Sequence, residues 1–132
     1  MSAVPRIPYD FAVLSAVPHP YVGAFVPVGV VLHARTADYL GARAVTDEAA
    51  LRARVPDVDS ALLARYLRAW CAICDGDPSA GPIAMLSRPE RFHWLTAPRS
   101  DVLQVSPAHE GVCDDLAREL DELYRAFVER AR

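Results

Sequence analysis

The chain contains no lysine and no asparagine; all 14 of its basic side chains are arginines. Without lysine there is no Schiff-base chemistry and no phosphate-cradling P-loop lysine. Its 3 cysteines are an odd number in a chain of 132 residues, which does not make a disulfide framework. A reducing cytosol is therefore the expected setting. No basic segment followed by a clean apolar run opens the sequence, because Pro8 and Asp10 interrupt it. The uncharged stretch from Phe11 to Ala34 is long enough to span a bilayer, but Pro18, Pro20 and Pro27 would break a helix there, and Gly23 and Gly29 would weaken it. A net charge of −3 argues against a dedicated nucleic-acid binder, which carries a clustered basic face. Nothing in the pattern calls for a cofactor or a metal.

What is present is a chain of single-domain length, 52% apolar, enough to bury a core without staples. Residues 1–8 read as a flexible leader to a domain that takes in the whole of 1–132. Tyr9 to Val17 alternates Tyr9, Phe11, Val13 and Val17 with Ala12, Leu14 and Ala16. Both sets are apolar, so a central strand is expected. Val26 to Arg35 places Val26, Val28, Val30 and Leu32 on one face and Gly29, Val31, His33 and Arg35 on the other. Pro27 cannot donate to a ladder, so this strand is expected to start near Val28 or to run along an edge. Thr36-Ala37-Asp38 turns the chain into Tyr39–Val45, completing a three-stranded meander.

Thr46 is placed to cap a short helix that Pro56 ends. A second helix over 59–75 carries Leu63, Tyr66, Leu67, Trp70, Ile73 and Cys74 on one stripe, and Gly76 stops it. A last helix over 114–130 buries Leu116, Leu120, Leu123, Tyr124, Phe127 and Val128. Between these helices, Phe92–Ala97 and Val102–Ser106 read as a β-hairpin joined by Pro98-Arg99-Ser100-Asp101, with Arg99 at its tip. The expected fold is α+β, a mostly antiparallel sheet of about five strands packed against two longer helices and one short one.

The segment from Arg88 to Gly111 concentrates chemically capable side chains. Arg91 and Arg99 are suited to clamp a carboxylate or phosphate. Ser106 precedes His109 in a loop framed by Pro107 and Gly111, where an activated hydroxyl would need an acid such as Glu110 or Asp114 to orient the ring. No GxSxG elbow accompanies the pair. The candidate ligand- or partner-binding set is Arg91, Arg99, Ser100, Gln104, Ser106 and His109, with no catalytic or metal-binding residue assigned. His93 reads as a core residue of a strand. Cys71 and Cys74 form a CxxC inside an amphipathic helix with no second pair, so they read as core thiols.

The sequence APRS at Ala97–Ser100, followed by Gln104, Ser106-Pro107, His109 and Gly111, resembles the bacterial DUF3037 family of proteins of unknown function. YDFAVL at Tyr9–Leu14, VGVVL at Val28–Leu32 and TADYLGAR at Thr36–Arg43 are similar to it as well. The resemblance implies a small cytosolic protein without assigned activity and an accessory role beside a protein partner, a HipA-like kinase being the kind of partner it suggests. Between the first two strands the chain departs from the family pattern, with His19, Tyr21, Gly23, Ala24 and Pro27 where charged residues and an Asn are usual.

Two functional readings follow. In the first, a non-enzymatic binding or accessory protein engages a partner through residues 97–111; no nucleic acid or membrane is involved, and a homo-oligomer is compatible with the sequence. In the second, a small enzyme or a binder of anionic metabolites uses Arg99, Ser106 and His109. Side chains converging in a concavity would favour the second reading, and a flatter surface with exposed apolar neighbours the first.

Overall fold

Apolar residues on both faces make β1 (Ile7–Ala16) the centre of the molecule. It is buried continuously from Phe11 to Ala16. A computed structural model describes residues 6–18, 25–97 and 102–130. β2 (Val26–Ala34) pairs antiparallel with β1, placing Phe11 opposite Leu32 and Val13 opposite Val30. The register shifts between Leu14, opposite Gly29, and Ser15, opposite Pro27. Val28 is thus the extra residue of a bulge, and Pro27 is tolerated inside the strand beside it. A turn over Arg35–Asp38, closed by the Asp38 N–H donating to the Arg35 carbonyl at 3.3 Å, leads into β3 (Tyr39–Ala44). Asp38 takes the left-handed conformation there, with φ 51°.

The opposite edge of β1 is occupied twice. β4 (Leu103–Val105) pairs with Leu14–Ala16, and β5 (His109–Cys113) pairs with Ile7–Phe11. The sheet order is β3-β2-β1-β4, with β5 also on β1, and all four ladders are antiparallel. The fold is the expected α+β, but its fifth strand is not the expected one. Residues 92–97 do not form a hairpin arm; they lie in or just after α3 (Arg88–Leu95). Ser87 accepts from the Glu90 N–H and its hydroxyl donates to the Glu90 carboxylate at 2.7 Å. With Pro89 in the first turn, this capping box starts a helix, and the alternation of Phe92, Trp94 and Thr96 is incidental to it. His93 is consequently exposed in the last helical turn rather than in a strand core.

The remaining helices follow their stop and start signals. α1 (Glu48–Arg54) is capped by Asp47 rather than Thr46, through the Ala50 N–H. α2 (Ser60–Cys74) is capped by Asp59 and ends where Gly76 takes φ 71°. Two 3₁₀ turns, Pro78–Ala80 and Pro82–Met85, connect α2 to α3. α4 (Leu116–Tyr124) starts at Asp115 and continues as a π turn over Arg125–Glu129. Four helices are therefore present among the described residues, two longer and two shorter.

The helices cover both faces of the sheet. On one face, His33 stacks on Phe92 of α3 with ring centroids 5.0 Å apart, and the Gly29 α-carbon faces Trp70 of α2. On the other, Tyr9 hydrogen-bonds to Glu119 of α4, and Arg43 reaches Asp121 at 2.9 Å while lying over the Tyr124 ring. Phe11 on that face contacts Phe127 of the π turn. The Tyr9 ring crosses Gly111 so closely that any side chain there would collide with it, which explains the glycine in an otherwise ordinary strand. Trp70 is only 1% exposed, and its indole N–H donates to the Leu95 carbonyl at 3.2 Å, tying α2 to α3.

Trp70 and Leu120, the latter 6% exposed, are thus core residues of α2 and α4. Trp70→Ala is expected to cost about 3–5 kcal/mol and Leu120→Ala about 2–5 kcal/mol. Chemical denaturation giving less than about 1 kcal/mol at both would show that these faces are not buried as described.

Candidate functional site

The segment that carries the candidate residues forms one edge of the sheet. Between the pairs Leu14–Val105 and Phe11–His109, β1 advances by Ala12 and Val13 while the edge advances by Ser106, Pro107 and Ala108. This is a bulge, and Pro107 at its centre has no N–H to give. Ser106 makes up the shortfall. Its backbone N–H donates to the Val13 carbonyl at 2.9 Å, and its Oγ accepts the Val13 N–H, also at 2.9 Å. The hydroxyl proton points to the Pro107 carbonyl at 3.0 Å. Ser106 is thus a side-chain rung of the ladder.

Of the other candidates, Gln104 shares a depression with it, and Arg91 and His109 do not. Arg91 sits on α3 with its guanidinium turned inward, donating to the Leu86 carbonyl at 2.7 Å and to the Cys74 carbonyl at 3.4 Å. It satisfies the C-terminal end of α2, and its Nε is buried without an acceptor among the described residues. His109 is a residue of β5, not of a loop. Its exposed ring lies 5.3 Å from that of Phe11, on the sheet face opposite α3. Gln104, opposite Ser15, shares a depression of about 410 Å³ with Phe25, Ser106 and Pro107. Arg99 and Ser100 lie outside the described residues. Arg91 therefore does not join Ser106 and His109.

A different set of polar groups is brought together on the α3 side of the sheet. Asp10 of β1 stands opposite His33 of β2 on one side and opposite Glu110 of β5 on the other. These side chains line a groove of about 440 Å³ with Arg35, Thr36, Pro8 and Val112. Burial holds the His33 imidazole below its ordinary pKa, outweighing Asp10 and Asp38, which favour its charged form; Arg35 adds to the lowering. The sequence contained a signal for this row. Asp10 and His33 each interrupt the apolar face of a strand that is otherwise Ala, Leu, Gly and Val. Only the register aligns them with Glu110.

The cysteines are core or near-core thiols. Burial pushes Cys71 up to about 11 and Cys74 to about 12, with Asp75 adding to both. Thiols so far from ionising are poor nucleophiles and poor ligands. Among the described residues, no group of three His, Cys, Asp or Glu side chains is placed to hold a metal ion. None of the described helices is long and apolar enough to cross a membrane.

The sequence profile of the family described as Protein of unknown function (DUF3037) matches residues 11–128. The chain belongs to DUF3037. No curated protein and no solved structure matches it. In this DUF3037 protein, Ser106 and Gly111, two of the residues that carry the resemblance, have structural duties: one completes the β1 ladder, and the other makes room for Tyr9.

Two predictions follow from these contacts. Ser106→Ala leaves the buried Val13 N–H without an acceptor and should destabilise by about 1–3 kcal/mol. A change within about 0.5 kcal/mol in urea denaturation would mean that the hydroxyl is not a needed rung. The second concerns pH. Because the folded-state pKa of His33 lies below the unfolded value of about 6.5, the unfolded chain binds more protons between the two values. His33 should thus leave stability unchanged above about pH 6.5 and lower it as pH falls towards the folded-state pKa. Comparing urea midpoints at about pH 7.5 and about pH 5, His33→Gln should lose less stability on acidification than wild type. An equal loss would assign the acid sensitivity elsewhere.

Proposed function

We propose that this DUF3037 protein is a non-enzymatic binding or accessory protein that engages a protein partner through the sheet edge from β4 to β5. The observation that supports this is the arrangement of the edge itself. β5 has β1 on one side only among the described residues, and Val112 in it is 50% exposed. Beside it, His109 lies against Phe11, which in turn meets the 42%-exposed Phe127. An open strand with exposed aromatic and aliphatic neighbours is suited to strand addition or to an apolar contact with a partner. Gln104 and Ser106 share a depression along this edge, and His109, on the α4 side of β5, does not join them there. An enzymatic use of Ser106 would compete with the ladder bond that its oxygen accepts from Val13.

A HipA-like kinase is the candidate partner that the family resemblance suggests. A reducing cytosol suits the three free thiols.

The test is affinity purification from native lysate followed by mass spectrometry, with wild type and Val112→Arg compared. The substitution is on an exposed side chain, so its effect on stability should stay within about ±0.5 kcal/mol. A partner recovered by wild type and lost with a folded Val112→Arg protein supports the edge. A partner held equally by both places the interface on another surface.

A further inference from the structure

The groove on the α3 side of the sheet shares Glu110 and Val112 with the edge strand β5, but its reading stands on separate observations. Its polar lining gathers charged groups around one cavity without pairing them. Arg43, Arg52, Arg88 and Arg118 all form ion pairs, with Asp121, Glu48, Asp38 and Asp114. Asp10, His33, Arg35 and Glu110 make no side-chain hydrogen bond or ion pair among the described residues, although they line one cavity. His33 is 7% exposed and still lines this groove, its ring packed on Phe92. Its ring nitrogens are not shut away as the Arg91 Nε is, so a group in the groove can reach them.

Charge narrows what the groove can accept. Asp10 and Glu110 stand directly opposite on neighbouring antiparallel strands, where like charges repel. His33 stands opposite Asp10 on its other side, so the three groups form a row about two strand spacings, or roughly 10 Å, across. Burial disfavours the imidazolium, which leaves the ring with a free acceptor nitrogen. Two carboxylates and an acceptor outweigh the single guanidinium of Arg35, which is exposed beyond the row. An anion would have to approach both carboxylates. A cation with several N–H donors relieves their repulsion and reaches the imidazole at the same time.

We propose that this groove binds a guanidinium or primary ammonium group, held between the carboxylates of Asp10 and Glu110 with the His33 imidazole as acceptor. The group can belong to a free small molecule or to a basic side chain of another protein. Its size fits a cavity of about 440 Å³.

The experiment titrates the full chain with agmatine and follows the histidine ring signals by ¹H–¹³C NMR, the His33 signal being identified by its loss in His33→Gln. A saturable shift of the His33 signal that weakens as salt is added is the expected result. Asp10→Asn and Glu110→Gln should each reduce the affinity about tenfold or more, as loss of a charge-assisted contact does. Glu129→Gln, on the π turn, should leave it unchanged. If Asp10→Asn fails to fold, Glu110→Gln on the exposed strand carries the test. A parallel titration uses a blocked peptide with one internal arginine. Tighter binding of the peptide than of agmatine assigns the group to a protein chain, and the reverse assigns it to a free molecule. No saturable His33 shift with either probe, or equal affinities in wild type and Glu110→Gln, overturns the proposal. Agmatine has no backbone with which to add a strand to β5, so failure of its titration and failure of the edge to hold a protein partner are separate results.

Discussion

The amide of Val13 lies in the middle of a strand that has no free side. β1 is flanked by β2 on one edge and by β4 and β5 on the other, and helices cover both of its faces. A backbone group in that position has no water to fall back on, so every rung of both ladders must be filled. The chain that fills the second edge contains a proline where it bends, and the Ser106 hydroxyl supplies the acceptor that regular pairing would have provided. Much else follows from keeping β1 central. Gly29 and Gly111 are bare where Trp70 and Tyr9 cross the sheet, and Tyr9 reaches over to hold α4 through Glu119.

Much of this was legible in the sequence. The meander was, because strands buried on both faces read as continuous apolar alternation. So were α2 and α4, whose stripes at helical spacing run far enough to be unambiguous. The strand expected over Phe92–Ala97 is instead the end of α3 and the residues just after it, and over so short a stretch periods of 2 and 3.6 are hard to separate. The decisive information lay in Ser87 and Glu90, which cap the first turn of the helix. β5 was hidden for the opposite reason. HEGVC is short and largely exposed, and Pro107 and Gly111 give it the composition of a loop. Only pairing with β1 makes it a strand.

The candidate site divides in the same way. Residue type marked the region from Gln104 to His109, and it is indeed a surface element, but neighbourhood in sequence said nothing of where each side chain points. Arg91 turned out to serve the end of α2. Asp10 and His33 stand out in the sequence as polar breaks in apolar strand faces, but only the register joins them to Glu110, on a strand about 100 residues beyond Asp10. Strand alternation then separates two surfaces on one short element. β5 shows His109 to the α4 side and Glu110 to the α3 side, so neighbouring residues face different chemistry.

The placement of β1 also sets the order in which the molecule can be completed during synthesis. Its first partners, β2 and β3, are near in sequence. Its second edge waits for contacts such as Val13 with Ser106, 93 residues away, and one of its faces for Tyr9 with Glu119 of α4, 110 residues away. Until the last part of the chain has left the ribosome, an apolar strand with one unpaired edge stands open. Contacts of such long range slow folding and prolong the exposure of edges that can pair with other chains. Nascent or truncated forms ending before residue 103 would carry that open edge permanently, which makes them natural clients for chaperones and proteases.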